Sequence, residues 1–201
     1  MANAGAIRFN TDSSQMEIYD GNQWTGVSAT SPDQQTGGTR AVIGGGKLAH
    51  PGRQNIIQFV TMDTTGNAVD FGDLLNPSAG EFTAGSRTRG IFAGSYTPGN
   101  TVTNLIQFVT FSSTGDATDF GNLTSGRSSC EACSSATRAI VIGGFISPAY
   151  INTIEFFTMA SSGDAIDFGD STTVSGDSSP CSNSIRGYRI GGGNDSTQMN
   201  S

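Results

Sequence analysis

Positive charge is scarce in this chain. Ten Lys and Arg stand against 17 Asp and Glu in 201 residues, a formal charge of −7. The cations are scattered, most of them as single arginines. Holding a phosphate backbone takes clusters of Lys and Arg, so nucleic acid is excluded as a partner. Long apolar runs are missing as well. None approaches the ~20 residues of a bilayer-spanning helix, so no membrane insertion is expected. The opening MANAGAIRFN has neither the charged nor the apolar region of a signal peptide, which points to assembly in a cytoplasm. Three cysteines make no disulfide framework. Cys130-x-x-Cys133 is half of a zinc site without its other half, and His50, the one histidine, lies far off in sequence. No convincing helical period runs through any stretch.

What the chain does have is repetition. NIIQFVTMDTTGNAVDFGDL begins at Asn55, NLIQFVTFSSTGDATDFGNL at Asn104 and NTIEFFTMASSGDAIDFGDS at Asn152. Ahead of each copy an arginine opens an apolar run: Arg40, Arg89, Arg138, then Arg186, at intervals of 49, 49 and 48 residues. A period near ~50 falls in the range of kelch-type propeller blades. Units this small cannot bury an apolar face alone, so neighbours must stack to make a core.

Each unit reads as four short strands. Ala139-Ile-Val-Ile-Gly-Gly is an apolar run ending in glycines, as in a strand buried on both faces. Ile154-Glu-Phe-Phe-Thr-Met is β-branched and aromatic. Ser161-Ser-Gly-Asp makes a turn, and Ala165-Ile-Asp-Phe-Gly is the next strand. The Ser- and Cys-rich stretch before Arg138 is read as a crowded innermost strand. Gln35, Ala84, Cys133 and Cys181 hold one repeat position there, which makes the cysteines small core residues. Phe59, Phe108 and Phe156 are expected in a core between units.

The order of apolar strand, paired glycines, loop, Asn-x-apolar-Glu-x-aromatic and turn resembles the kelch repeat. Asn152-Thr-Ile-Glu-Phe-Phe carries the match, with Phe168 in place of the usual Trp and Gly94-Ser95 breaking one glycine pair. The N-terminus, with Glu17-Ile-Tyr19, a turn at Asp20-Gly21 and Trp24, reads as the last two strands of a blade. The C-terminus from Ser182 to Gly193 reads as the first two. The expected fold is therefore an all-β, kelch-like propeller of ~49-residue repeats, with three whole blades and one composite blade closed by both termini. Pairing of the two halves between neighbouring chains is the alternative. Residues 1–30 form the N-terminal segment and 31–201 the repeat domain.

Ala6-Ile-Arg-Phe-Asn-Thr through Trp24 is also similar to a segment common in tail fibres and other appendages of tailed bacteriophages. The repeat wording resembles structural proteins of marine phages, cyanophages in particular. The resemblance implies a non-enzymatic virion protein: a tail-fibre or appendage module in a homo-oligomer with other virion proteins, touching a host glycan or protein. A capsid-decorating protein and a propeller-type carbohydrate-active enzyme are the alternatives.

Candidate chemistry is weighed against architecture. The aspartates around each DFG (Asp70 and Asp73; Asp116 and Asp119; Asp164, Asp167 and Asp170) are fewer per unit than calcium asks, and fit turn motifs better. Glycosidase chemistry needs two unlike carboxylates flanking a sugar, whereas these are copies of one another; Glu81 and Glu131 are the singletons. The repeated arginines read as a structural salt bridge or carbonyl cap. No catalytic residue, metal or cofactor is expected. The loops after the glycines differ in every copy while their flanks do not, and loops on a rigid scaffold are where recognition lives. Tyr96 and Pro98, then Phe145, Pro148 and Tyr150, are the candidate receptor-binding residues, with aromatic faces suited to sugar or protein contact.

Overall fold

The computed structural model describes residues 2–11, 15–27, 39–48, 52–183, 185–194 and 197–198. Gln35 and His50 lie outside the described residues, as does the segment ahead of Thr39 where the first unit's first strand is expected. Among the described residues there is no helix, and the strands form several small antiparallel sheets. The chain divides into two compact units, Met1–Gln34 and Gln35–Ser201.

The first unit is a three-stranded sheet of β1 (Ile7–Asn10), β2 (Gln15–Tyr19) and β3 (Trp24–Gly26). Asp20 Oδ1 accepts from the backbone N–H of Asn22 and Gln23 at 2.7 Å each and shapes the expected turn. Those two bonds stabilise the ionised carboxylate and lower its pKa. Arg8 lies over the Trp24 ring at 4.2 Å and pairs with Glu17 at 2.8 Å. Strand β1 was not foreseen. Its Ile7 and Phe9 alternate with Arg8 and Asn10, but all four are outside the repeat.

The repeat unit begins with β4 (Arg40–Gly44), β5 (Gln54–Thr61) and β6 (Val69–Ser78) in one sheet. Next come β7 (Phe82–Gly85), β8 (Arg89–Thr97), β9 (Thr101–Thr110) and β10 (Thr118–Asn122), a four-stranded meander. The third sheet is β11 (Glu131–Ser134) and β12 (Arg138–Ile142), then, after a small β13 (Phe145–Ile146) and β14 (Ala149–Tyr150) hairpin, β15 (Thr153–Thr158) and β16 (Ile166–Asp170). The two β17 (Cys181–Ser182) and β18 (Gly187–Tyr188) strands pair with each other, as do β19 (Gly193–Asn194) and β20 (Thr197–Gln198). Four strands per unit is therefore seen in the second and third copies.

Two glycine positions make this repeat possible. Gly45, Gly94, Gly143 and Gly191 follow their arginines by five residues and have φ of 67°, 50°, 60° and 68°. In the first three a Cβ would collide with Glu81, with the Arg127 carbonyl and Cys130, or with the Ser175 carbonyl. The second position is the DFG glycine, Gly72 and Gly121, at φ 148° and 149°, which marks a register shift in its sheet. A Cβ at either would strike the backbone of Gly115 or Gly163 in the next unit.

Each core lies between consecutive sheets. Ile57, Phe71 and Leu74 meet Phe92, Val109 and Ala117 of the next copy. Phe120, Leu123 and Ile106 meet Val141, Phe157 and Met159 in turn. Stacking neighbours therefore supplies what one unit lacks. Phe59 and Phe108, expected in that core, are half-buried and pack against its edge, while the half-buried Phe156 belongs to neither cluster. The aromatic that is buried is the DFG phenylalanine, Phe71 or Phe120, each meeting the half-buried ring edge-on at 6.0 and 5.9 Å.

Candidate functional site

Several of the repeated polar residues join neighbouring units. Arg40 donates to the Phe111 carbonyl at 2.7 Å, and Arg89 to the Met159 carbonyl at 3.0 Å. Each guanidinium also lies 4.8 or 4.5 Å above the phenylalanine of its own sheet, Phe59 or Phe108. The carbonyl-cap reading of the arginines holds for these two. Arg138 stacks on Phe156 at 4.4 Å but is exposed.

Four of the repeat aspartates do two structural jobs. Asp119 and Asp167 accept from the glycine N–H two residues on, at 3.0 and 3.1 Å, as Asx motifs do. Asp116 and Asp164 reach back and accept from the backbone N–H of Asp73 and Asn122, at 3.0 and 2.9 Å. That second job crosses between units and leaves no trace in local spacing. No group of three or more His, Cys, Asp or Glu capable of holding a metal occurs among the described residues.

The singleton carboxylates sit apart, each with its own partners. Glu81 takes the Ser78 hydroxyl, and Glu131 accepts the Ser178 N–H at 2.6 Å with Arg189 at 3.9 Å. Burial pushes the pKa of both upward. Cys130 is buried and its thiol is raised to about 12 by desolvation, which makes it an inert packing residue. Cys133 is buried too, whereas Cys181, at the equivalent position, is exposed. The first strands lie side by side through serines: Ser134 Oγ donates to Gly85 O at 2.8 Å, and Ser182 Oγ to Ser134 O at 2.7 Å.

The variable loops make two clusters. Phe145 and Tyr150 meet edge-on at 5.0 Å across the β13–β14 hairpin, whose tip carries the cis Ser147–Pro148 bond. Both rings are half-buried, and Tyr150 presses so closely on Gly176 that a Cβ there would have no room. Of this group Pro148 is the exposed member. Tyr96 lies near the end of β8, and the exposed Pro98 follows in the β8–β9 turn. Tyr96 lies beside the preceding unit's loop: Arg53 is 5.8 Å from its ring centroid and donates to Asn100 Oδ1 at 2.8 Å. Gly46, Lys47, Arg53, Tyr96 and Asn100 line an open concavity of about 600 Å³.

Sequence reasoning picked Tyr96 and missed Lys47, Arg53 and Asn100. The signal was present, since Lys47 is the one lysine in the chain and stands in the same variable segment as Arg53. What was not legible is that loops of successive units approach each other. No model of a known protein family matches the chain, and no curated protein matches it.

Proposed function

We propose that this chain is a non-enzymatic virion protein of a tailed bacteriophage, a kelch-like propeller module of a tail fibre or related appendage that contacts the host through its variable loops. One observation carries the reading. The repeated polar side chains with identified partners are engaged in the architecture, as with Arg40, Arg89, Asp116 and Asp164, while an open concavity is built from residues that differ between copies. Assembly takes place in the host cytoplasm, with other virion proteins as partners. Imaging of virions with an affinity tag on this chain is the test. Label on the tail supports the appendage role. Label on the head replaces it with capsid decoration, and turnover of a glycan by the purified chain overturns the non-enzyme reading.

In the same reading the ring has four blades, the fourth made from both termini. Strands β17–β18 carry the first half of the repeat pattern, and β2–β3, with Tyr19 and Trp24 packed at 5.3 Å, carry the second half. Ring closure protects strand edges that would otherwise pair with other chains. Removal of residues 1–28 is then expected to lower the melting temperature and promote aggregation. A truncated protein that stays monodisperse with an unchanged melting temperature overturns the composite blade.

A further inference from the structure

We infer that the concavity between the first two variable loops is a binding site for an anionic polysaccharide, one bearing carboxylate or sulfate groups. The chain is acidic overall, yet this hollow brings together two of its ten cations, Lys47 and Arg53. No carboxylate pairs with either among the described residues. Arg127, the fully buried cation, is by contrast paired with Glu155 at 3.0 Å. Arg53 is also held in place. Asn100, which adopts φ 60°, accepts one N–H at 2.8 Å, and Lys47 and Arg53 face each other in an antiparallel bridge. Its Nε is buried and donates to no group among the described residues. An oriented guanidinium with donors to spare suits the planar, bidentate acceptor that a carboxylate or sulfate presents.

The fourth component is the flat ring of Tyr96. A sugar offers C–H faces that lie on an aromatic plane, so ring and cations together recognise a charged sugar better than a bare anion. Apolar lining and a few convergent polar groups are the usual anatomy of such sites. With a net charge of −7, long-range steering opposes a polyanion. Recognition is therefore short-range and sensitive to salt. The inference deepens the attachment reading, and its failure can be told apart from failure of that reading.

Titration calorimetry of the full chain with oligogalacturonate, dextran sulfate, neutral dextran and a short DNA duplex is the test. The expected result is binding of one or both charged glycans, absent with neutral dextran and with DNA. Arg53→Ala and Tyr96→Ala should each weaken it at least about tenfold, as loss of a charged hydrogen bond or stacking face does. Lys47→Ala, a change at an exposed side chain, should weaken it a few-fold, and Arg186→Ala should leave it unchanged. Equal binding of neutral dextran would keep the sugar site and overturn the anionic class. Equal binding of DNA would reduce the site to charge alone and overturn sugar recognition. Absence of binding by every probe, or full affinity in both Arg53→Ala and Lys47→Ala, overturns the site itself and leaves the virion role to the tagging experiment.

Discussion

Replacing Glu155 by Gln is expected to destabilise the protein by about 3–5 kcal/mol, the range for a buried ion pair that loses one partner. Glu155 and Arg127 are both fully buried, 3.0 Å apart, between the second and third repeats. Equivalent positions in the first two repeats carry neutral Gln58 and Gln107. Gln107 shows the structural job of the position: its Oε1 accepts the Leu75 N–H at 2.8 Å across the unit boundary. Glu155 does the same for Thr124, taking both its N–H at 3.3 Å and its hydroxyl. Gln can keep that cap. The loss therefore isolates the charge left behind on Arg127, since a buried guanidinium without its anion has no water to turn to. Arg127→Met with Glu155→Gln removes both charges at similar volume and is expected to recover at least half of the loss. Urea unfolding midpoints at constant m would report both. A loss under about 1 kcal/mol for Glu155→Gln would mean that the pair is solvated. No recovery in the double variant would assign the cost to packing rather than charge.

The repeat made most of the strand pattern legible, and its failures have physical causes. Strand content of the second and third units followed from apolar runs and turn residues, because those signals are local. The identity of the core aromatic did not. Phe108 lies in the strand with the stronger propensity, yet Phe120 is the more buried, since the pairing of β9 with β8 brings the Arg89 guanidinium over the Phe108 ring. Propensity reports fit to a pleated surface and does not say which face the next sheet covers. The Asx-motif reading fits Asp119 and Asp167, whereas Asp116 and Asp164 clamp the preceding unit, a role that only the stacking of sheets reveals. The site was half legible for the same reason. Variation between copies singled out Tyr96, but the bond from Arg53 to Asn100 joins loops 47 residues apart. Phe145 and Tyr150 carried the same aromatic signal and were spent on packing against each other and Gly176.

Phe120→Ala is expected to cost about 3–5 kcal/mol, and Phe168→Ala, the same substitution at the same repeat position, under about 1 kcal/mol. The two rings have the same local company. Phe120 meets Phe108 edge-on at 5.9 Å and 82°, and Phe168 meets Phe156 at 6.0 Å and 81°. They differ in what lies beyond. Phe120 is 2% exposed, with Phe157 of the next sheet at 5.2 Å, whereas Phe168 is 54% exposed. The glycines beside them tell the same story: Gly121 is met closely by the Gly163 backbone, while Gly169 has nothing within 4 Å. Truncating Phe120 empties a cavity bounded by two sheets that cannot both collapse into it; truncating Phe168 removes a ring already half in water. Thermal unfolding of the two variants beside the parent separates the cases. Equal, large losses would mean that the third sheet's outer face is covered in solution. Equal, small losses would remove the stacking of successive units as the source of the core.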